Sequence, residues 1–356
     1  MSEGSIVENT HILSIDSIIT PKELKTLIPL DDLTKTNILK WRQEIENIIS
    51  GKDNRFLVVI GPCSIHDTEA ALVYAKELKM ISNMFIEKIF IVMRVYFEKP
   101  RTTVGWKGLI NDPHLDGSYD IDAGLKKARK LLLKINQLGL PTGCEFLDVF
   151  TPQYYADLVS WGAIGARTTE SQLHRELASG LSMTIGFKNG TDGSIDIAAD
   201  AIHCAETPHV FLGINEDGNA SIVKTKGNRS LQVILRGGAD GPNFNHVSVQ
   251  KVNNLLKKRN ITSKILIDCS HGNSGKNFRN QPLVLESIMN QIENGETNIC
   301  GLMIESNIKE GAQKHNIKNG KIGLEYGVSI TDECINLDTS LRMFERIVAK
   351  KFVYFS

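Results

Sequence analysis

Charged residues recur in this sequence directly after short apolar runs. Such runs are typical of buried parallel strands, and an isolated charge rarely falls at the end of one by chance. The positively charged ones would lie together at one edge of a sheet. They are Arg94, Lys99, Arg101, Lys107, Arg167, Lys188 and Arg236. Arginine forks pair with phosphate and carboxylate groups, so this set predicts a site for small polyanions. The alternative interpretation is a set of unrelated surface cations.

A second set of residues has side chains that bind metals. Cys63 and His271 follow two different apolar runs, Glu305 ends a third, and Asp332 lies in the segment beyond it. A thiolate, an imidazole and two carboxylates suit a divalent transition metal. These residues are far apart in the sequence and form no short motif. Spacing alone therefore leaves open an inert buried thiol and a hydrogen-bonded core histidine.

The framework that must position these residues is indicated by alternating strand and helix patterns. Apolar, β-rich runs predict eight buried parallel strands: 57–60, 89–95, 143–147, 163–166, 184–187, 233–235, 264–267 and 301–304. Amphipathic segments lie between them, among them 69–81, 123–138 and 247–259. Eight strand-helix units over roughly 300 residues favour an α/β fold of the TIM (β/α)8 barrel type. The active site of such a barrel lies at the carboxyl-terminal ends of its strands.

Two segments fall outside the barrel pattern. Residues 1–50 predict a helical extension, in which Thr20 caps a helix and an apolar helical pattern runs from 33 to 49. The region of about 209–226 predicts an antiparallel hairpin inserted before the sixth barrel strand. We therefore expect an extension that serves assembly or regulation, followed by a catalytic barrel over 51–356 that carries a regulatory hairpin.

Composition excludes several classes of function. Lys plus Arg and Asp plus Glu number 41 each, so no global basic field attracts nucleic acid or an anionic membrane. No apolar run approaches the roughly 18 residues of a membrane span, and the polar N-terminus does not resemble a signal peptide. The six cysteines are scattered without CxxC pairs, which is typical of reduced thiols. We expect a cytoplasmic protein.

Longer motifs bear a specific resemblance to one family. They read VIGPCS at 59–64, MRVYFEKPRTTVGWKG at 93–108, GARTTESQ at 165–172, GFKNGTDG at 186–193, ILRGG at 234–238 and IDCSHGNS at 267–274. The chain resembles the type I, metal-dependent 3-deoxy-D-arabino-heptulosonate 7-phosphate (DAHP) synthases from about residue 10 to residue 345. The family condenses phosphoenolpyruvate with D-erythrose 4-phosphate and water, giving DAHP and phosphate. This is the first step of the shikimate pathway to chorismate and the aromatic amino acids.

The resemblance assigns roles to matching positions. The implied metal ligands are Cys63, His271, Glu305 and Asp332. The implied phosphoenolpyruvate contacts are Arg94, Lys107, Glu145, Ala166, Arg167, Lys188 and Arg236. The implied erythrose 4-phosphate contacts are Lys99, Pro100, Arg101 and Thr102. Mn2+ is the implied metal, with Fe2+, Co2+ and Zn2+ as alternatives.

Three of these residues are implied to be catalytic: Lys99, Glu145 and Lys188. Glu145 would position or deprotonate the attacking water. For Lys188, proton donation to a reacting oxygen and stabilisation of developing charge both remain open.

The resemblance also implies a feedback pocket for an aromatic amino acid. Its residues match Pro152, Gln153, Ser182, Phe211, Gly213 and Val223. Phenylalanine-responsive relatives tend to carry serine at the position of Gly213, whereas tyrosine-responsive ones tend to carry glycine, which leaves room for a phenolic hydroxyl. The chain is most similar to the tyrosine-sensitive type, and a homodimer or homotetramer is implied. An unregulated enzyme, in which Gly213 only fills space beside a turn, is the alternative.

The chain departs from the family near its end. Residues 333–337 read ECINL, where relatives often carry a Gly-Trp pair, which leaves the packing of the last helix open. Cys334 lies two residues beyond Asp332 and brings a second sulfur towards the predicted metal site. This predicts oxidation of the metal-free protein in air, whereas a buried and inert Cys334 is the alternative.

Three other functions compete with the synthase. A related synthase uses arabinose 5-phosphate, but its pentose-binding motif does not match the KPRT sequence at 99–102. A catalytically silent sensor of aromatic amino acids and a sugar-phosphate binding module are the others. Intact metal-binding residue types argue against both, because binding alone does not require them.

Overall fold

A computed structural model of the protein describes residues 7–101 and 105–349. Its strands are β1 (Phe56–Gly61), β2 (Ile89–Arg94), β3 (Thr142–Glu145), β4 (Trp161–Ile164), β5 (Thr184–Lys188), β6 (Val210–Ile214), β7 (Ala220–Lys224), β8 (Leu231–Leu235), β9 (Ile265–Asp268) and β10 (Ile299–Glu305). Eight of them close a parallel barrel in the order β1-β10-β9-β8-β5-β4-β3-β2. Each predicted strand overlaps one barrel strand, and the predicted TIM barrel is confirmed.

Helices surround the barrel and precede it. They are α1 (Pro21–Leu27), α2 (Asp32–Ile49), α3 (Thr68–Met84), α4 (Ile121–Gln137), α5 (Pro152–Tyr155), α6 (Gln172–Gly180), α7 (Asp196–Ala205), α8 (His246–Lys258), α9 (Gln281–Glu293) and α10 (Leu337–Val348). Local capping explains several starts. The side chain of Asp67 accepts hydrogen bonds from two amide nitrogens in the first turn of α3, and that of Asn245 accepts one from the amide of Ser248 at the start of α8. Among the described residues, no helix combines the length and apolar character that crossing a membrane requires.

Strand residues alternate between the barrel interior and the helix-covered exterior. In β2, Phe90 and Val92 belong to an interior apolar cluster, whereas Ile91 and Met93 pack in the cluster towards the helices. This is the two-residue period of a β-strand. The period carries the last residue of β2, Arg94, to the inner side, where it is fully buried. A polar residue at the last inward position of a strand therefore faces the carboxyl-terminal end of the barrel, here called the barrel mouth.

The N-terminal helices pack against the barrel. The Thr20 hydroxyl accepts a hydrogen bond from the amide of Glu23, whose carboxylate accepts one from the amide of Thr20. This capping box confirms the predicted helix start. Ile45 and Ile48 of α2 join the interior cluster, so α2 covers the amino-terminal end of the barrel.

The predicted hairpin before the sixth barrel strand is confirmed. β6 pairs antiparallel with β7, and Phe211 lies opposite Val223. Both strands lie within the predicted region of 209–226. The hairpin turn contacts α1, because the carbonyl of Glu216 accepts a hydrogen bond of 2.8 Å from the amide of Lys22.

The last helix is ordinary in its packing despite the unusual sequence before it. Phe344 is fully buried and meets the ring of Phe85 edge to face, with centroids 6.1 Å apart. Arg346 and Glu286 form an ion pair of 2.6 Å between α10 and α9. The departure at 333–337 therefore leaves α10 docked on the barrel.

Candidate active site

Residues from most barrel strands converge on one cavity of about 170 Å³ at the barrel mouth. Its charged lining consists of Lys99, Arg101, Glu145, Arg167, Lys188, Arg236, His271, Lys276 and Asp332. Pro100, Gly165, Ala166, Thr191 and Thr331 complete it. The cavity thus collects eight of the substrate residues that the resemblance implies: Lys99, Pro100, Arg101, Glu145, Ala166, Arg167, Lys188 and Arg236.

The three remaining substrate residues have different positions. Arg94 does not line the cavity; it is fully buried, with Nη2 3.0 Å from Oε1 of Glu305 and 3.4 Å from the carbonyl oxygen of Cys63. Lys107 has an exposed side chain that is not part of the cavity lining, although its carbonyl accepts a 2.9 Å hydrogen bond from the amide of Lys99. Thr102 lies outside the described residues.

The predicted metal ligands gather beside the cavity. Cys63, Glu305 and Asp332 each offer a ligand atom, and these atoms lie within 4.8 Å of one another. His271 lies next to this group, with Nε2 3.8 Å from Oε1 of Glu305. A thiol, an imidazole and two carboxylates, brought together from the end of β10 and from loops that follow other strands, form a donor set that fits a divalent transition metal.

The two buried ligands have opposite electrostatic environments. Burial raises the pKa of Glu305, but His271, Arg94 and Lys99 outweigh that effect and lower it to about 2. This carboxylate therefore keeps its negative charge. Burial and the neighbouring Glu305 raise the pKa of the Cys63 thiol to about 11. A bound divalent ion would favour the thiolate form of Cys63, so the Cys63 thiol and the Glu305 carboxylate are both suited to hold one.

Neighbouring side chains hold these ligands in place. The Ser270 hydroxyl donates a 2.7 Å hydrogen bond to Oε2 of Glu305. Nδ1 of His271 lies 2.8 Å from Oδ2 of Asp268, which leaves Nε2 directed towards Glu305. Such outer contacts fix the orientation of a ligating imidazole.

Glu145 and Lys188 form the opposite side of the cavity. Nζ of Lys188 lies 3.7 Å from Oε2 of Glu145 and 3.6 Å from Oδ2 of Asp268, so the ammonium stands between two carboxylates. Gly165 makes room for this arrangement, because a Cβ there would lie 2.5 Å from Oε1 of Glu145. The carboxylate is thereby held at the cavity wall, where it can accept a proton.

Sequence reasoning missed three residues of this site. Asp268 is fully buried, and burial is outweighed by His271 and Lys188, which lower the pKa of its carboxyl. Ser270 was not singled out, although it contacts Glu305. Lys276 adds a further cation to the cavity. A signal for Asp268 was available in the sequence. Leu266 of β9 points into the barrel, and the residue two positions later, Asp268, must point the same way.

A second cavity, of about 310 Å³, lies under the hairpin. All six residues of the implied feedback pocket line it: Pro152, Gln153, Ser182, Phe211, Gly213 and Val223. Lys25, Arg42 and Asp157 are the charged residues in its wall. A cavity with apolar walls and charges of both signs can receive a zwitterionic amino acid.

A buried carboxyl group, that of Glu98, lies between the cavity at the barrel mouth and the cavity under the hairpin. Oε2 of Glu98, the residue before Lys99, lies 3.3 Å from the Thr151 hydroxyl and 3.4 Å from that of Tyr155. Thr151 precedes Pro152, which lines the second cavity. Burial and the nearby Asp148 raise the pKa of Glu98 to about 8.

Comparisons with known proteins agree with this geometry. The chain is 50% identical over 341 residues to the Tyr-sensitive phospho-2-dehydro-3-deoxyheptonate aldolase of Escherichia coli strain K12, an alignment that covers 96% of this chain and 95% of the relative. It is 48% identical over 343 residues to the phenylalanine-inhibited enzyme of that name from Saccharomyces cerevisiae, covering 95% and 92%.

A solved structure has the same fold. The phospho-2-dehydro-3-deoxyheptonate aldolase of Francisella tularensis SCHU S4 matches with a TM-score of 0.92 at 50% identity, over 95% of this chain and 98% of that one. The sequence profile of one family covers residues 27–345. The chain therefore belongs to the DAHP synthetase I family.

Proposed function

We propose that the protein condenses phosphoenolpyruvate with D-erythrose 4-phosphate and water to give DAHP and phosphate, the first step of the shikimate pathway. The observation that carries this proposal is the single cavity at the barrel mouth, in which cations from several strands meet a cluster of metal-binding side chains. Two phosphates and a carboxylate match such a cluster of cations. Relatives that cover almost all of the chain bear the name of this enzyme.

The cations divide between the two substrates. Arg167, Lys188 and Arg236 hold the phosphate and carboxylate of phosphoenolpyruvate, with Arg94 beneath them. The backbone at Ala166 lies on the same wall. The residues assigned to erythrose 4-phosphate are Lys99, Pro100, Arg101 and Thr102. These contacts hold the two substrates side by side in the orientation in which they react, so the reaction no longer depends on a chance encounter.

A divalent ion completes the site. Cys63, His271, Glu305 and Asp332 would hold it, with Mn2+ as the first choice and Fe2+, Co2+ or Zn2+ as alternatives. When bound, such an ion supplies Lewis acidity towards the aldehyde of the tetrose.

The chain's own groups then move the protons. C3 of phosphoenolpyruvate bonds to the aldehyde carbon, the water oxygen adds at C2, and the C–O bond to phosphate breaks. Glu145 accepts the proton of the water, and Lys188 beside it stabilises the developing negative charge. Lys99, whose Nζ lies 3.0 Å from the sulfur of Cys63, donates a proton to the oxygen derived from the aldehyde.

The choice of aldehyde tests the proposal against its nearest alternative. Steady-state assays of phosphate release would use phosphoenolpyruvate with either erythrose 4-phosphate or arabinose 5-phosphate. We expect turnover with the tetrose and little with the pentose. Preference for the pentose would assign the chain to the related synthase, and no turnover with either would favour a silent sensor.

We further propose that tyrosine binds the cavity under the hairpin and inhibits the enzyme. Relatives of both regulatory types are about equally similar to this chain, so overall identity does not identify the effector. Gly213 supports tyrosine, because a side chain at this position would crowd Val223 and take up volume in the cavity wall, and its absence favours the larger phenolic ring. Inhibition assays with tyrosine, phenylalanine and tryptophan test this, and stronger inhibition by phenylalanine would overturn it.

We also propose a homo-oligomer, a dimer or tetramer, that works in the cytoplasm. Leu13 and Ile15 in the N-terminal segment are 102% and 80% exposed, which is costly in water unless another subunit covers them. The thiols of the described residues are unpaired, as suits a reducing compartment. Sedimentation of a 39.5 kDa species at micromolar concentration would contradict the oligomer.

A further inference from the structure

Tyr96 is a buried aromatic residue at the barrel mouth. It follows Arg94 by two residues, and its side chain belongs to the interior cluster with Val92 and Met303. The side chain is 1% exposed, and its hydroxyl has no hydrogen-bond partner among the described residues. A buried phenol normally finds such a partner. The contribution of Tyr96 therefore lies in its ring.

Two cations approach that ring. Cζ of Arg94 lies 4.0 Å from the ring centroid, and Nζ of Lys188 lies 6.0 Å from it. The face of an aromatic ring is negative, and cations within about 6 Å of its centroid are attracted, more strongly in a site without water. Arg94 and Lys188 come from strands β2 and β5, so one ring contacts two separate parts of the proposed phosphoenolpyruvate site.

A ring has an advantage over a further carboxylate at this position. Arg94 already pairs with Glu305 at 3.0 Å, and Lys188 lies within 4 Å of Glu145 and Asp268. Another anion would neutralise the charge that must attract the substrate. An aromatic face holds a guanidinium in place and carries no net charge.

We propose that Tyr96 is a positioning residue for phosphoenolpyruvate, whose ring holds Arg94 and Lys188 in the arrangement that receives the anionic groups of the substrate. This inference deepens the proposed function and rests on it. Tyr96 acts through the two cations and is not itself a catalytic residue.

Substitutions can separate the ring from the hydroxyl. Tyr96→Phe keeps the ring, whereas Tyr96→Leu and Tyr96→Met remove it and keep an apolar side chain. Phe90→Leu is the matched control. Phe90 lies on β2, which leads into Tyr96, and belongs to the same cluster, and its ring also carries a cation, with Cζ of Arg55 5.0 Å from the centroid. That contact lies at the other end of the strand.

The KM values for both substrates, kcat and Tm would be measured for each variant in its metal-loaded form. We expect Tyr96→Phe to keep the KM for phosphoenolpyruvate within about twofold and the ring-deleted variants to raise it about tenfold. The KM for erythrose 4-phosphate should change much less. Phe90→Leu should lower Tm without raising the KM for phosphoenolpyruvate.

Three results would overturn the proposal. Equal damage in Tyr96→Phe and Tyr96→Leu would assign the role to the hydroxyl. An unchanged KM in both ring-deleted variants would remove the role of the ring, and an equal rise in Phe90→Leu would show general loosening of the core.

A wild-type protein without turnover would count against the proposed function rather than against Tyr96. Calorimetric titration with phosphoenolpyruvate alone then tests the ring separately. Weaker binding by Tyr96→Met than by wild type supports the positioning role, whereas equal binding by the two proteins, or no binding by the wild type, overturns it. Either ring-deleted variant suffices, so a folding defect in one leaves the other to decide.

Discussion

The amide nitrogen of Cys63 lies 3.4 Å from the sulfur of Cys334, although the two residues are 271 positions apart in the sequence. Both residues are fully buried, and burial raises the pKa of both thiols. The second sulfur therefore lies beside a proposed metal ligand, as expected from the sequence. Because a thiolate is the form that oxidises, these raised pKa values favour slow oxidation.

Oxidation should nevertheless be detectable in the metal-free protein. We predict that the wild type slowly loses activity in air, that dithiothreitol restores it, and that Mn2+ protects against the loss. Cys334→Ser should lose activity more slowly, whereas Cys300→Ser, at the opposite end of the barrel, should behave like the wild type. Activity measured over time after reconstitution checks this. Equal rates in wild type and Cys334→Ser would show that Cys334 is inert.

The contact of Asp268 with His271 predicts an effect on metal affinity. Asp268→Asn removes the negative charge 2.8 Å from Nδ1 of His271. Losing such an outer partner weakens metal binding by about 10- to 100-fold. Isothermal titration with Mn2+ measures this directly, with His271→Ala as the variant that lacks the proposed ligand itself. Unchanged affinity in both variants would remove His271 from the site.

Glu98 predicts a pH dependence of stability. Burial is the main cause that raises its pKa to about 8 from the ordinary value of 4.5, so between these two pH values the folded state holds a proton that the unfolded state releases. Its contribution is fully present below about pH 4.5 and is lost as pH rises to about 8, by up to about 1.4 kcal/mol per pH unit. The facing titratable groups are Asp148, Tyr155 and Cys144.

Glu98→Gln should remove this dependence. Its Tm, relative to that of the wild type, should rise steadily between pH 5 and pH 8, whereas the exposed Glu87→Gln should follow the wild type. Thermal unfolding at several pH values checks the slope. Parallel Tm curves for Glu98→Gln and the wild type would contradict the assigned titration.

The feedback pocket predicts a change of effector. A Cβ at Gly213 would lie 2.8 Å from Cγ2 of Val223, so a side chain there enters the cavity and forces Val223 to move. Gly213→Ser should weaken inhibition by tyrosine more than inhibition by phenylalanine, because it fills the space assigned to the phenolic hydroxyl. Inhibition curves for both amino acids check this, with Gly213→Ala separating volume from hydroxyl chemistry. An unchanged ratio would contradict the assigned geometry.

The barrel and most of its mouth were predictable from local sequence. A buried strand is an apolar run, and a charge such as Arg94 or Lys188 at its end stands out against that run. The two-residue period then fixes which side chains point inward. Glu145 and Glu305 follow the same rule.

Other features depend on contacts that no local pattern encodes. Lys107 was expected in the substrate site, and its side chain is exposed and does not line the cavity. Its backbone position depends on a pairing between Glu98 and Gly108 that the local sequence does not encode. Lys276 reaches the cavity from a turn in which its own φ is 61°. The contact between Asp268 and His271 could not be predicted, because it depends on how the loop after β9 folds back towards the strand.

The most direct test of the central claim is a steady-state assay on metal-stripped protein. Phosphate release and DAHP formation would be measured with phosphoenolpyruvate and erythrose 4-phosphate, before and after addition of Mn2+. We predict no turnover without metal, and after Mn2+ addition equal amounts of phosphate and DAHP that require both substrates. Full turnover in excess EDTA, or phosphate release that does not need erythrose 4-phosphate, would contradict the account.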